Sequence, residues 1–116
     1  MIKVFGVPSC NKIRNTKNVL DNNAIAYEFV NVKKTPVSSA QLKIIVEQLG
    51  IDKVLNKQGL TYKKLGLKEK NLSENELFDW LLKEQGMIKR PLIEKEGRYA
   101  IESDKDKIIE FCTNKN

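Results

Sequence analysis

The sequence has 116 residues, 41% of them hydrophobic and 31% charged, with a formal net charge of +6, enough chain for a single domain over residues 1–116. No apolar run nears the roughly 20 residues of a membrane-crossing helix, residues 1–6 are too short for a secretory signal core, and two cysteines in unlike contexts suit a reducing compartment, so a cytoplasmic protein is expected. Histidine is absent, which excludes Cys-His pairs, Ser-His-acid triads and imidazole zinc ligands within the chain; no metal site and no bound cofactor are expected.

Residues 2–5 form an apolar run ended by Gly6 and Pro8, the pattern of a first strand closed by a turn. Cys10 follows at once, and Ile13, Thr16 and Leu20 then recur at helical spacing over residues 11–22. Residues 24–32 alternate, with Ile25, Tyr27 and Phe29 on one face, which predicts a second strand parallel to the first through a right-handed crossover. Ser38 with Gln41 predicts a capping box opening a helix that Gly50 ends, and Ser73 with Glu76 predicts another, with Gly86 as its stop. Residues 56–59 read as turns and residues 62–67 as a short helix between them. Residues 91–94 and 98–101, joined through Glu96-Gly97, predict an antiparallel hairpin, and Ser103-Asp104 opens a last helix whose apolar side includes Ile108, Phe111 and Cys112. The order is that of an α/β protein with a mixed sheet.

The chemistry gathers at Cys10. At a helix N-terminus the unpaired backbone N–H groups and the helix dipole favour an anion, and the thiolate is the nucleophilic form of cysteine. Lys12 and Arg14 add positive charge beside it, while the flanking Pro8, Ser9 and Asn11 set the thiol on a loop rather than in the core. Arg90-Pro91 stands just before the hairpin; arginine grips an oxyanion or carboxylate in two-point fashion, and an X-Pro bond there can be cis. Cys112 and Trp80 read as core residues. The lysines are dispersed and no Arg/Lys cluster is interleaved with aromatics on one element, so neither a nucleic acid nor a membrane is expected as a direct partner.

Pro8-Ser9-Cys10 followed by Arg14-Asn15-Thr16, residues 55–66 (LNKQGLTYKKLG) and Ile88-Lys89-Arg90-Pro91-Leu92-Ile93 together resemble the arsenate reductase (ArsC) family of the thioredoxin-like superfamily. YffB-like proteins are nearest in pattern and Spx regulators are relatives. The resemblance implies a thioredoxin-like fold with a mixed four-stranded sheet and a helical insertion over about residues 36–87, between the second and third strands. It implies Cys10 as nucleophile, a cis Pro91 facing it, and Asn11, Lys12, Arg14, Arg90 and Pro91 as the groups that bind thiol or oxyanion. Glutathione is the implied co-substrate and glutaredoxin an implied partner. Of the three arginines with which arsenate reductases hold the oxyanion, Arg90 matches one, whereas Asn56 and Glu102 stand at or near the other two. An amide and a carboxylate there weaken an oxyanion site, so a glutathione-dependent monothiol reductase, in which Cys10 attacks a disulfide, a mixed disulfide or an electrophilic oxyanion, is expected in preference to a true arsenate reductase. The alternative is an Spx-like regulator that binds RNA polymerase; Ile13 at the fourth position of the Cys10 motif rules out a Cys-x-x-Cys switch.

Overall fold

A computed structural model describes residues 1–113. Strand β1 (Ile2–Gly6) leads through a short loop into helix α1 (Asn11–Asn22) and back to β2 (Tyr27–Asn31). Helices α2 (Ser39–Leu49), α3 (Ile51–Val54), α4 (Leu60–Lys64) and α5 (Glu74–Lys83) follow, then β3 (Leu92–Lys95), β4 (Arg98–Ile101) and α6 (Lys105–Thr113). The strands make one four-stranded sheet in the order β2-β1-β3-β4. β1 runs parallel to β2, with Ile2 opposite Tyr27, and antiparallel to β3, with Phe5 opposite Leu92; β3 and β4 are antiparallel. This is the expected α/β, thioredoxin-like architecture, with the helical insertion between β2 and β3.

Alternation along the central strands divides the core in two. Ile2, Val4 and Ile93 face α1 and α6, where they meet Ile13, Leu20, Ile108 and Cys112. Phe5, Leu92 and Tyr99 face the insertion and meet Leu42, Ile45, Val54, Tyr62 and Leu81. Each such side chain removed from water contributes roughly 1.5–3 kcal/mol, which makes these two layers the source of the helices' stability. The buried Thr16 hydroxyl donates to the Lys12 carbonyl oxygen at 2.8 Å, so a polar group enters the first layer with its bond made.

Five local expectations need correction. β2 starts at Tyr27, three residues later than the alternation suggests, because the chain first has to close α1: Ile25 N–H donates to the Leu20 carbonyl at 2.9 Å and Ala24 takes a left-handed φ of 55°. α5 stops at Lys83 rather than running toward Gly86; residues Gln85–Met87 form a 3-10 turn, and the buried Gln85 amide clasps Val37, accepting from its N–H at 2.6 Å and donating to its carbonyl at 2.7 Å. The Ser73–Glu76 capping box is complete, at 3.1 and 3.2 Å, but only half of the Ser38–Gln41 box forms, since the Gln41 side chain donates instead to the Tyr99 hydroxyl at 3.0 Å. The short helix expected over residues 62–67 is α4 at Leu60–Lys64, followed by a separate 3-10 turn at Leu67–Lys70. Trp80 is half-buried, with the ammonium groups of Lys70 and Lys83 at 5.6 and 5.3 Å from its ring centroid, which hydrophobicity alone does not foretell.

Candidate active site at the start of the first helix

The position of Cys10 is fixed by the strand-turn-helix that carries it. Cys10 is the residue before α1, in extended conformation, and its N–H donates to the Val7 carbonyl at 3.2 Å. Its own carbonyl accepts from Ile13 and Arg14 at 3.1 and 3.2 Å, so the first turn of the helix is anchored on it. The thiol makes no capping bond, which leaves the first-turn N–H groups of α1 without a side-chain acceptor from this residue. Gly6 sets how closely the helix approaches the sheet: a Cβ there would lie 2.7 Å from Cγ1 of Ile13 and 3.6 Å from Cδ of Arg90. The absent methyl group lets Ile13 seat fully against β1, and the Arg90 side chain lies at the same strand end from which Cys10 emerges.

The opposite wall comes from the insertion. Residues 54–56 pair with residues 87–89: Asn56 N–H donates to the Met87 carbonyl at 2.8 Å, Lys89 N–H to the Val54 carbonyl at 2.7 Å, and Leu55 and Ile88 form an antiparallel bridge. This two-sided clasp carries Asn56 and Lys89 to Arg90, and the resulting cleft of about 200 Å³ is lined by Cys10, Asn11, Lys12, Asn56, Lys89 and Arg90. The Asn56 carboxamide also holds its own loop, accepting from Gln58 N–H at 3.2 Å.

Of the residues singled out from sequence, the cleft therefore brings together Cys10, Asn11, Lys12 and Arg90. Arg14 lies outside its lining, its guanidinium donating to Oδ1 of Asn11. Pro91 is buried just behind Arg90 and the bond between them is cis. Asn56 enters the cleft at the place where an arginine was expected, whereas Glu102 is not among its lining residues. Lys89 is the member that sequence reasoning missed. Its signal is the pairing of residues 54–56 with 87–89, a contact spanning more than thirty positions that no local pattern announces.

Cys112 is buried in the layer that holds Ile13 and Ile108, and burial pushes its thiol pKa up. Among the described residues, no group of three or more acidic or cysteine side chains is arranged to hold a metal ion, and no helix is long and apolar enough to cross a membrane. What the cleft can do chemically is present one thiol to a small electrophile among three cationic side chains, Lys12, Lys89 and Arg90, and the N-terminal N–H groups of α1.

The chain also has relatives. The model of the ArsC family matches residues 5–111. An arsenate reductase from Neisseria meningitidis is 30% identical over 86% of this chain and 88% of its own length. The global transcriptional regulator Spx from Listeria innocua is 27% identical over 96% of this chain and 86% of its own length. Among solved structures, the YFFB protein superposes with a TM-score of 0.88 at 25% identity, covering 97% of this chain and all of that one.

Proposed function

The chain belongs to the ArsC family, and from that membership we propose that it is a monothiol reductase in which Cys10 attacks a disulfide and glutathione resolves the product. In the first step the Cys10 sulfur bonds to one sulfur of the substrate disulfide, the substrate S–S bond breaks, and the other half leaves with the electron pair as a thiolate that takes up a proton. In the second, the thiolate of glutathione attacks that mixed disulfide and regenerates the Cys10 thiolate, leaving glutathione joined to the remaining half. One half of the substrate leaves reduced as a thiol, and a second glutathione thiolate attacks the glutathione sulfur of the remaining mixed disulfide to release the other half, with oxidised glutathione as the product. The second thiol comes from solution, because Cys112 is buried in the core on α6.

The observation that carries this reading is the meeting of a half-exposed thiol, a helix N-terminus and three cationic side chains in one cleft. The α1 N–H groups, with Asn11 and Lys12, hold negative charge on the Cys10 sulfur, and Arg90 with Lys89 grips a carboxylate of glutathione or of the substrate. Arg14 orients Asn11. Pro91 fixes the backbone behind Arg90. With Asn56 in place of a guanidinium, the cleft suits a disulfide bearing a carboxylate better than a tetrahedral oxyanion.

Turnover of a small disulfide in the presence of glutathione, with arsenate assayed beside it, is the test. The expected result is disulfide turnover that requires Cys10 and falls roughly tenfold in Arg90→Ala through loss of a charge-assisted contact, with little or no arsenate turnover. The Listeria relative supports a second reading, a regulator that docks on RNA polymerase. Stoichiometric binding of purified RNA polymerase with no disulfide turnover would replace the first reading by the second.

A further inference from the structure

The Cys10 cleft does not stand alone. Asn56 and Arg90 also line a second cleft of about 240 Å³, whose far side reaches Lys33, Leu60 and Tyr62. Tyr62 in turn lines a third, of about 420 Å³, with Lys57, Lys63, Lys68 and Glu69. Each shares a side chain with the next, Asn56 and Arg90 between the first pair and Tyr62 between the second, which makes the three one run of adjoining clefts. Its character is uniform: Lys12, Lys89 and Arg90 at the thiol end, Lys33 in the middle and Lys57, Lys63 and Lys68 at the far end, against Glu69. Lys57 is engaged by Asp52 at 3.0 Å, so Lys63 and Lys68 dominate the far end. Lys33 lies across Gly86, where a Cβ would come within 3.4 Å of its Cε.

An apolar feature accompanies the charge. Leu60, at the edge of the middle cleft, is 85% exposed, the most open large hydrophobic residue in the described chain.

We propose that the adjoining clefts form one trough, the docking groove for an acidic segment of a protein substrate, whose disulfide is delivered to Cys10 at one end while its carboxylates lie along the lysines and an apolar side chain covers Leu60. This rests on the thiol-exchange reading of Cys10 and names its substrate class. A field of one sign along a cleft raises the encounter rate of an oppositely charged ligand, and the effect falls with ionic strength.

Peptides of about ten residues, roughly 33 Å extended, provide the probe. Each carries one cysteine as the mixed disulfide with thionitrobenzoate and one leucine, in acidic, amide and basic versions. Attack by Cys10 joins its sulfur to the peptide sulfur and releases the coloured thiolate, so a single turnover is read directly. The acidic peptide is expected to react about tenfold faster than the amide version, with the advantage gone in the double variant Lys63→Glu/Lys68→Glu and at high salt. Leu60→Ser is expected to slow all three peptides about equally. Oxidised glutathione should react within twofold of the parent rate in every variant, which also reports that the exposed substitutions leave the fold intact. Equal rates for acidic and amide peptides, or an advantage that survives the double variant, would overturn the groove and leave the thiol chemistry standing. Failure of every probe at Cys10, glutathione included, would overturn the thiol-exchange reading and the groove with it. Tighter binding of a single-stranded oligonucleotide than of the acidic peptide, measured by fluorescence anisotropy, would reassign the trough to nucleic acid.

Discussion

Cys10 and Cys112 pack against the same apolar layer, the one shared by Ile2, Val4, Ile13 and Ile108, yet they have opposite prospects. Cys112 sits within α6 with its thiol turned into that layer, 7% exposed and raised in pKa by burial. Cys10 stands one residue before α1, touching both layers of the core while its sulfur opens on a cleft. The difference lies in where each thiol falls along its helix and in the cationic cleft that only Cys10 opens on. The last turn of α6 offers the Cys112 thiol packing and no unpaired N–H groups, whereas the N-terminus of α1 adds such groups and a partial positive charge.

The sharpest way to break the comparison is to exchange the thiols for hydroxyls. Cys10→Ser is expected to abolish mixed-disulfide formation with oxidised glutathione completely, read by intact mass. Next in size is Gly6→Ala. The added methyl meets Ile13 at the point where α1 seats on β1, and overpacking of this kind costs about 1–3 kcal/mol. A lower urea midpoint together with slower modification of Cys10 is expected, since the helix start moves with Ile13. Unchanged Cys10 kinetics in that variant would show that the seating of α1 does not govern the thiol.

Cys112→Ser should do the reverse of Cys10→Ser, costing about 1 kcal/mol by placing a hydroxyl in an apolar layer and leaving the rate at Cys10 untouched. The smallest effect is expected at Tyr99, on the insertion side of the sheet. Burial, reinforced by the hydrogen bond its hydroxyl donates to Glu94 at 2.5 Å, pushes its pKa from 10.0 up to about 12. Between those values the unfolded chain has released a proton that the folded protein retains. The phenol's stabilisation is therefore complete below pH 10 and is lost as the pH rises through about 12. Tyr99→Phe should flatten that part of the stability profile in urea titrations and leave Cys10 unaffected at neutral pH.

How much of this was legible in the sequence follows from the range of the interactions concerned. The β1-loop-α1 unit is local: an apolar run, a Gly and a Pro, then helical spacing, and it places Cys10 at the helix start without knowledge of the rest. The hairpin was equally plain, because Glu96 and Gly97, both at positive φ, form the tight two-residue connection that such a pair predicts. What local patterns could not show is where the insertion folds back. The pairing of residues 54–56 with 87–89 sets Asn56 and Lys89 in the cleft, and neither partner segment carries enough alternation to be read as a strand. Gln41 is a similar case. Its spacing from Ser38 fits a capping box, but a buried Tyr99 hydroxyl competes for its amide and wins. Expectations held for the β1-loop-α1 unit and the hairpin, whereas Gln41 failed because a distant group claimed its side chain and the start of β2 failed because a local bond closing α1 claimed Ile25 first.

The most direct test of the account is to expose the unmodified protein to oxidised glutathione at neutral pH, digest it, and locate the adduct by mass spectrometry. The account predicts glutathione on the peptide containing Cys10 and none on the peptide containing Cys112. Equal labelling of both, or labelling of Cys112 alone, would contradict it, because the position of a thiol along its helix would then not decide its chemistry.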